Sequence, residues 1–327
     1  MAQLGKTAPA AERDVSARKS RRSIGPVMAS AFKAVLREGR GIGGNRQNPS
    51  MRETDVDSNS SSADYFDEIN RSREDRRNLF TQGKNDQADD WMKAAEEGTI
   101  LQVRAPAINF YVLRDGDELY LIDAGFIGGL RLMKRALARH GWNRLPIRGI
   151  LVTHGHLDHI LNVQLVARRY GAWIAAPRLD AEQYAGRSNY PGRARVAQWL
   201  ETFGRPILGF RSFTPDRLLD DGDVLDVWQG LRAVHLPGHT EGHMGYYSPD
   251  RQLLFSGDLF VSYRGAAKLP PDIFNSRPEQ IPASVEAALA YDLEGVLPNH
   301  CDSSPPAEHL QRFLRLGAKL ADRRAGD

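Results

Sequence analysis

The sequence predicts one α+β domain that follows a long N-terminal extension with little apolar content. Segments with strand-like and helix-like patterns alternate from about residue 99 onward, whereas residues 1–90 are dominated by charged and turn-forming side chains. Hydrophobic residues make up 41% of the 327-residue chain, which is enough for a folded domain to bury a core. We therefore expect residues 1–90 to be mostly disordered and residues 91–327 to form the folded domain.

The composition of the extension supports this division. Residues 1–50 contain ten Lys and Arg against three Asp and Glu, and residues 51–75 are rich in acids. Such a segment cannot bury enough apolar surface to offset the entropy that is lost on folding. The Arg21-Arg22 pair is typical of an export signal, but Gly25, Pro26 and Lys33 interrupt the segment that would have to be apolar. We expect a solvated basic tail and a cytoplasmic protein.

The composition of the whole chain excludes several classes of protein. It contains no run of about 18 apolar residues, so we expect no membrane partner. Cys301 is the single cysteine, which excludes an intrachain disulfide and a cysteine-rich zinc finger. The net charge of +3 is small for this length, and we expect no nucleic acid partner. The sequence leaves the oligomeric state open.

The first half of the domain is predicted to alternate strands with helices. Two apolar runs that flank the turn Asp115-Gly116-Asp117 predict a hairpin. Later segments have either the apolar spacing of a helix or the continuous apolar run of a buried strand. The predicted elements are strands 108–113 and 118–123, helix 130–139, strand 148–153, helix 161–170 and strand 173–176.

The second half begins with residues 179–210, which are predicted to be helix and loop. It then becomes richer in strands, and no repeat of fixed period occurs. The predicted elements are strands 231–236, 244–248 and 252–256, helix 282–289, strand 295–297 and helix 307–320.

The segment Thr153-His154-Gly155-His156-Leu157-Asp158-His159 carries the clearest chemical signal. On an extended loop after a strand, His154 and His156 point to the same side and can bind one metal. Asp158 and His159 come at the start of the next helix and can face a second site. Imidazole and carboxylate are ligands that divalent zinc, iron and manganese accept. This spacing therefore predicts a metal centre.

Four other side chains of ligand type also follow predicted strands. Asp123 ends the second strand of the hairpin, and His239, Asp258 and His300 come just after the strands at 231–236, 252–256 and 295–297. Active sites of sheet proteins gather at the loops that follow buried strands. We expect these residues to join the histidines at 154–159.

With these five motifs, the sequence resembles the metallo-β-lactamase superfamily over residues 99–327. The Gly-His-Thr-Glu-Gly-His run at 238–243 and the Ser-Gly-Asp run at 256–258 are most similar to the glyoxalase II and lactonase-like branch. The resemblance implies a four-layer αβ/βα sandwich. It also implies His154, His156 and His239 on a first metal, Asp158, His159 and His300 on a second, Asp258 bridging both, and Asp123 as an acid that orients the ligands.

The function implied by this resemblance is that of a hydrolase with two zinc ions per chain, although iron or manganese can occupy such sites. A hydroxide that bridges the metals would cleave a small-molecule thioester, ester or lactone, with Asp158, Asp258 and Asp123 as the catalytic carboxylates. Two alternatives stay open within the superfamily. One is a sulfur dioxygenase, in which one iron would use His154, His239 and Asp258, and the other is a phosphodiesterase or nuclease.

Other side chains near the motifs have simpler predicted roles. We expect His243 to make a supporting hydrogen bond and Cys301 to be packed rather than reactive. Of Tyr246 and Tyr247, which alternate on one strand, only one is expected to face inward. Trp173, Trp199 and Trp228 are assigned to packing.

Overall fold

The computed structural model describes residues 99–105, 108–188 and 190–326. The predictions for residues 1–90 lie outside these described residues. Within them, no helix is long and apolar enough to cross a membrane.

In the described part of the chain, six strands form the first sheet. They are β1 (Ile100–Arg104), β2 (Asn109–Asp115), β3 (Glu118–Ile122), β4 (Ile147–Leu151), β5 (Trp173–Pro177) and β6 (Arg217–Leu219). They lie in this order across the sheet. β1, β2 and β3 pair antiparallel, and β3 to β6 pair parallel. The carboxyl ends of β3 and β4 therefore lie at the same edge.

The second sheet is built by five described strands, and a separate hairpin by two more. The sheet has the order β13, β10, β9, β8, β7, and β10 pairs parallel with β13. Because β9 is antiparallel to both β8 and β10, the carboxyl ends of β8, β10 and β13 share one edge. The strands are β7 (Val224–Leu225), β8 (Leu231–His235), β9 (Met244–Ser248), β10 (Leu253–Gly257), β11 (Val261–Tyr263), β12 (Ala266–Lys268) and β13 (Gly295–Pro298).

Three apolar clusters define four layers. The first cluster lies between the first sheet and two helices, the second between the sheets, and the third between the second sheet and two further helices. This is the predicted αβ/βα sandwich. The helices in chain order are α1 (Gly129–Arg139), α2 (Leu157–Ile160), α3 (Val163–Tyr170), α4 (Ala181–Tyr184), α5 (Arg195–Leu208), α6 (Ile281–Leu289) and α7 (Pro306–Gly326).

Strand β9 is buried on both of its faces. Tyr246 belongs to the cluster between the sheets, and Tyr247 belongs to the cluster beneath α6 and α7. All five residues of β9 are buried. The prediction that one of these tyrosines faces away from the core was wrong, because the second sheet is covered on both faces.

The predicted helices and strands all occur, with ends that differ by a few residues. The sequence did not predict β1, β6, β7, β11 and β12, of which β6, β7, β11 and β12 are at most three residues long. The assignment of Trp199 to packing was also wrong. Trp199 lies on the outer face of α5 with Phe203, and the two side chains are 62% and 54% exposed.

Candidate metal centre

The side chains of ligand type meet at the carboxyl ends of strands from both sheets. Asp123 follows β3, and the segment 154–159 follows β4 and enters α2. His239, Asp258 and His300 follow β8, β10 and β13. Two sheets packed face to face bring these ends together. The centre therefore lies at one edge of the sandwich.

Seven predicted ligands form three overlapping groups. Within each group, one ligand atom per residue lies within 4.8 Å of the others. Groups of this size match the reach of a metal ion that binds several protein atoms at about 2.0–2.3 Å. The groups are His154, His156 and His239; His154, His159 and Asp258; and Asp158, His159 and His300.

Asp258 lies in the middle of these groups. Its Oδ2 is 3.0 Å from Nε2 of His300, 3.4 Å from that of His159 and 3.5 Å from that of His239. His239 belongs to the three-histidine group, whereas His159 and His300 belong to the group that contains Asp158. One carboxylate thus touches both ends of the cluster.

Several atoms of the cluster are buried and have no hydrogen-bond partner among the described residues. They are Nε2 of His154, His156, His159 and His239, and Oδ1 of Asp258. Buried polar atoms are costly unless a partner satisfies them. Five such atoms in one cluster fit a bound cation, and the donor set of imidazole and carboxylate suits a divalent metal.

The three-histidine group is buried and neutral. Burial lowers the pKa of His156 to about 4 and that of His239 to about 3, and it lowers the pKa of His154 well below its usual value. These imidazoles are unprotonated at neutral pH. Their lone pairs are free for a metal without loss of a proton.

The group that contains Asp158 carries charge instead. Burial alone would lower the pKa of His159, but the carboxylates of Asp258, Asp123 and Asp158 outweigh it and raise that pKa to about 10. Burial alone would also lower the pKa of His300, but the carboxylates of Asp258 and Asp158 outweigh it and raise that pKa well above its usual value. Although burial opposes the change, His159 and His300 lower the pKa of Asp158 to about 2.

Asp123 fixes two of the imidazoles from behind. Its Oδ2 accepts a hydrogen bond from Nδ1 of His159 at 2.8 Å and another from the hydroxyl of Thr153 at 2.8 Å. Because that hydroxyl proton points to Asp123, Oγ1 of Thr153 accepts from Nδ1 of His154 at 3.0 Å. Asn299 also donates to Oδ2 of Asp123 at 2.8 Å. Both imidazoles thus turn Nε2 towards the cluster.

The backbone at Asp123 is strained by this placement. Its φ is 63°, in the left-handed region that side chains other than glycine rarely adopt. Asp123 is fully buried and contacts His159 and Thr153. The predicted orienting role of this carboxylate has a matching set of contacts.

Two further partners hold His239 and Asp258. Nδ1 of His239 donates to Oδ1 of Asn275 at 2.8 Å, which turns its Nε2 towards the cluster. His243 donates from Nδ1 to the carbonyl of Leu236 and accepts from the backbone N–H of Asp258 at 2.9 Å. A Cβ at Gly257 would lie 2.5 Å from Nε2 of His243, so this strand end requires glycine. His243 has the supporting hydrogen bond that the sequence predicted.

A fully buried carboxylate, Asp180, joins the loops on either side of the three-histidine group. It follows β5 on a short 3-10 turn, Arg178–Asp180, and accepts hydrogen bonds from Gly155, Thr240 and Gly242. Asp180 was not among the site residues predicted from the sequence. Its position after a parallel strand of the first sheet was the signal that could have found it.

Helix α5 and the loop before it form a wall beside His156. The ring of Tyr190 is 5.2 Å from that of His156, and its hydroxyl donates to Oε2 of Glu201. Glu201 also accepts from the backbone N–H of Leu157. A recess of about 300 Å³ lies between residues 191–192 and 272–279, and Asn275 is among its lining residues.

Cys301 is next to His300 but takes no part in the cluster. Its thiol is buried, donates to the carbonyl of Pro298 at 3.1 Å and accepts from Nε2 of Gln102 at 3.2 Å. Burial raises the pKa of this thiol. A neutral, packed thiol is a poor nucleophile, in line with the prediction.

The sequence matches the model of a known protein family. The model described as "Metallo-beta-lactamase superfamily" matches residues 103–294. The chain belongs to the metallo-beta-lactamase superfamily. This confirms the predicted family. Membership of the superfamily, together with the three His/Asp groups, indicates that the cluster binds a divalent metal.

Two curated relatives from the superfamily show which branch the chain is similar to. A hydroxyacylglutathione hydrolase of Aeromonas hydrophila is 29% identical over 194 residues, which cover 58% of this chain and 59% of that protein. The acyl-coenzyme A thioesterase MBLAC2 of Homo sapiens is 28% identical over 172 residues, which cover 46% of this chain and 57% of that protein. The chain thus spans less than two thirds of the length of these relatives.

Solved structures of the superfamily share the fold. A metallo-beta-lactamase family protein of Thermus thermophilus is 22% identical, with a TM-score of 0.53, and the match covers 68% of this chain and 79% of that one. A subclass B3 metallo-beta-lactamase of Bradyrhizobium japonicum is 21% identical, with a TM-score of 0.50 and coverage of 70% and 91%. The predicted four-layer sandwich is confirmed.

Proposed function

We propose that this chain is a dinuclear zinc hydrolase that cleaves a small-molecule thioester. The observation that carries the proposal is the overlap of the three ligand groups through His154, His159 and Asp258. A single ion that used only His154, His239 and Asp258 would leave the buried Nε2 atoms of His156 and His159 without partners. Two ions give all seven a role.

The donor set favours zinc. Five of the seven candidate ligands are histidines, and imidazole-rich sites suit zinc better than magnesium or calcium. In the proposed arrangement, His154, His156 and His239 would hold one ion and Asp158, His159 and His300 the other, with Asp258 as a further ligand between the two groups. Bound zinc ions would acidify a water molecule and polarise the carbonyl of the substrate.

The protein's own residues prepare the centre for that chemistry. Asp123 and Asn275 accept the Nδ1 protons of His159 and His239, so that Nε2 of each ring faces the cluster. His243 fixes the backbone of Asp258 and thereby the position of its carboxylate. Asp258 and Asp158 would offset part of the positive charge of two divalent ions. The charge that remained would favour a carbonyl oxygen.

The names of two relatives favour a thioester among the predicted substrates. The relatives named hydroxyacylglutathione hydrolase and acyl-coenzyme A thioesterase both carry names of thioester substrates. The recess of about 300 Å³ beside Asn275 has room for part of a small molecule, whichever of the predicted bonds is cleaved. Its walls come from the loop before α5 and the loop before α6.

Elemental analysis and a substrate panel test this proposal together. We expect about two zinc ions per chain and turnover of S-lactoylglutathione or an acyl-coenzyme A, lost on chelation and restored by zinc. The panel includes an acyl-homoserine lactone, a p-nitrophenyl ester and a phosphodiester. Turnover of the phosphodiester alone would contradict the proposed thioesterase and indicate a phosphodiesterase. One iron per chain, with oxygen uptake on a glutathione persulfide, would replace it by a dioxygenase.

A further inference from the structure

We propose that Asp180 is a positioning residue that sets the spacing between the two loops of the three-histidine group. One loop carries His154 and His156, and the other carries His239. The inference rests on the proposed function only in that these histidines bind a metal. It assigns a role to a carboxylate that is itself outside every ligand group.

The carboxylate of Asp180 receives three short hydrogen bonds. Its Oδ2 accepts from the backbone N–H of Gly155 at 2.8 Å and from the hydroxyl of Thr240 at 2.7 Å. Its Oδ1 accepts from the backbone N–H of Gly242 at 2.8 Å. Gly155 lies between two ligand histidines, and Thr240 directly follows the third. One side chain thus holds both loops next to their ligands.

Asp180 is fully buried and forms no salt bridge with any described residue. Burial raises its pKa, and the three donors oppose that rise. A buried carboxylate without a cation is costly unless hydrogen bonds stabilise it, and here three donors from two loops do so. This arrangement is explained if the two loops must be held at a defined distance.

Both loops are shaped for this close approach. A Cβ at Gly242 would lie 2.7 Å from Oδ1 of Asp180, and a Cβ at Gly155 would lie 2.4 Å from Cβ of Gln183. Side chains at these positions would push the loops away from the carboxylate. The two glycines and Asp180 therefore form one unit, although Gly155 lies 25 residues before Asp180 and Gly242 lies 62 residues after it.

The spacing matters because a metal ion tolerates little error in ligand position. Residues that hold ligands in place typically contribute about 10–100-fold to metal affinity. In Asp180→Asn, one oxygen becomes an NH₂ group, which cannot accept a hydrogen bond from either loop. At least one of the three hydrogen bonds is then lost, while the volume of the side chain stays nearly the same.

The test compares Asp180→Asn with Asp216→Asn. Asp216 accepts the backbone N–H of Ile174 at 2.8 Å on a loop that carries no candidate ligand, so its variant controls for the loss of a backbone contact. Zinc affinity is measured by chelator competition, and ligand geometry by the visible spectrum of the cobalt-substituted protein. We expect Asp180→Asn to bind metal about 10–100-fold more weakly with an altered spectrum, and Asp216→Asn to match the wild type.

Hydrogen exchange of the metal-free protein gives a readout that is independent of metal. We expect faster exchange in peptides around residues 153–159 and 239–243 in Asp180→Asn but not in Asp216→Asn. If Asp180→Asn does not fold, Thr240→Val removes one of the three contacts and should produce a smaller change of the same kind.

Wild-type affinity, spectrum and exchange in Asp180→Asn, or in Thr240→Val where that variant is used, would overturn the inference. A wild-type protein that binds no metal would overturn the proposed function instead. Two bound zinc ions without any thioester turnover would overturn only the substrate class.

Discussion

The two ends of the metal centre are built on opposite electrostatic principles. The three-histidine group is buried and neutral, and its imidazoles have lowered pKa values. The group of Asp158, His159 and His300 holds protonated imidazoles between carboxylates, and Asp158 and His300 are partly exposed. The three-histidine group can bind a cation without losing protons, whereas a cation must displace protons from His159 and His300. The metal affinity of two sites in one centre can therefore depend differently on pH.

The largest effect is expected where the two ends meet. Asp258→Ala removes the one carboxylate that touches both groups and leaves excess positive charge. We expect kcat/KM to fall by several orders of magnitude, with loss of metal from both sites. The exposed Asp250→Ala is the matched control. A metal content of two per chain in Asp258→Ala would show that the ends do not depend on this carboxylate.

Single ligands should separate the ends. We expect His239→Ala to lose the metal of the three-histidine group and His300→Ala to lose the other, each with about one ion per chain and strongly reduced turnover. Elemental analysis after gel filtration measures this directly. If both variants lost both ions, the centre would be a single cooperative unit.

The pH dependence of metal affinity tests the electrostatic difference itself. With a pKa of about 10, His159 is protonated at neutral pH, so zinc must displace that proton. Each displaced proton weakens binding about tenfold per unit fall in pH. His156 and His239, with pKa values of about 4 and 3, lose no proton above pH 5, so their site should hold its affinity. Titration of metal-free protein at pH 6, 7 and 8 would refute this if both affinities changed equally.

The smallest effect is expected beside the second end. Cys301→Ser should leave turnover and metal content unchanged, because the thiol packs against Gln102 and Pro298 and faces no ligand group. An inactive Cys301→Ser protein with full metal content would show that a thiol takes part in the reaction.

The candidate ligands could be recognised in the sequence because side chains of ligand type coincide with strand ends. His154, His156, Asp158 and His159 fall within six residues, and the later ligands each follow a buried strand. The buried strands themselves were visible because a sheet covered on both faces reads as a continuous apolar run.

The supporting residues were not predictable in the same way. Asn275 lies 36 residues from His239, in a loop without any periodic pattern, and only the folded chain brings them together. The exposure of Trp199 escaped prediction for a related reason. An aromatic residue in a helix looks the same in sequence whether its face meets the core or the solvent.

The candidate ligands come from both sheets, and this has a consequence for folding. The first sheet supplies the four candidates at 154–159, and the second supplies His239, Asp258 and His300. Neither sheet can hold the full set before the two have packed together. Ions that bind only the packed state stabilise the contact between the two sheets. Each such ion raises the free energy of unfolding by RT ln(1 + c/Kd), where c is the free metal concentration and Kd its dissociation constant. Stripping the metal would therefore loosen the sandwich at this edge first.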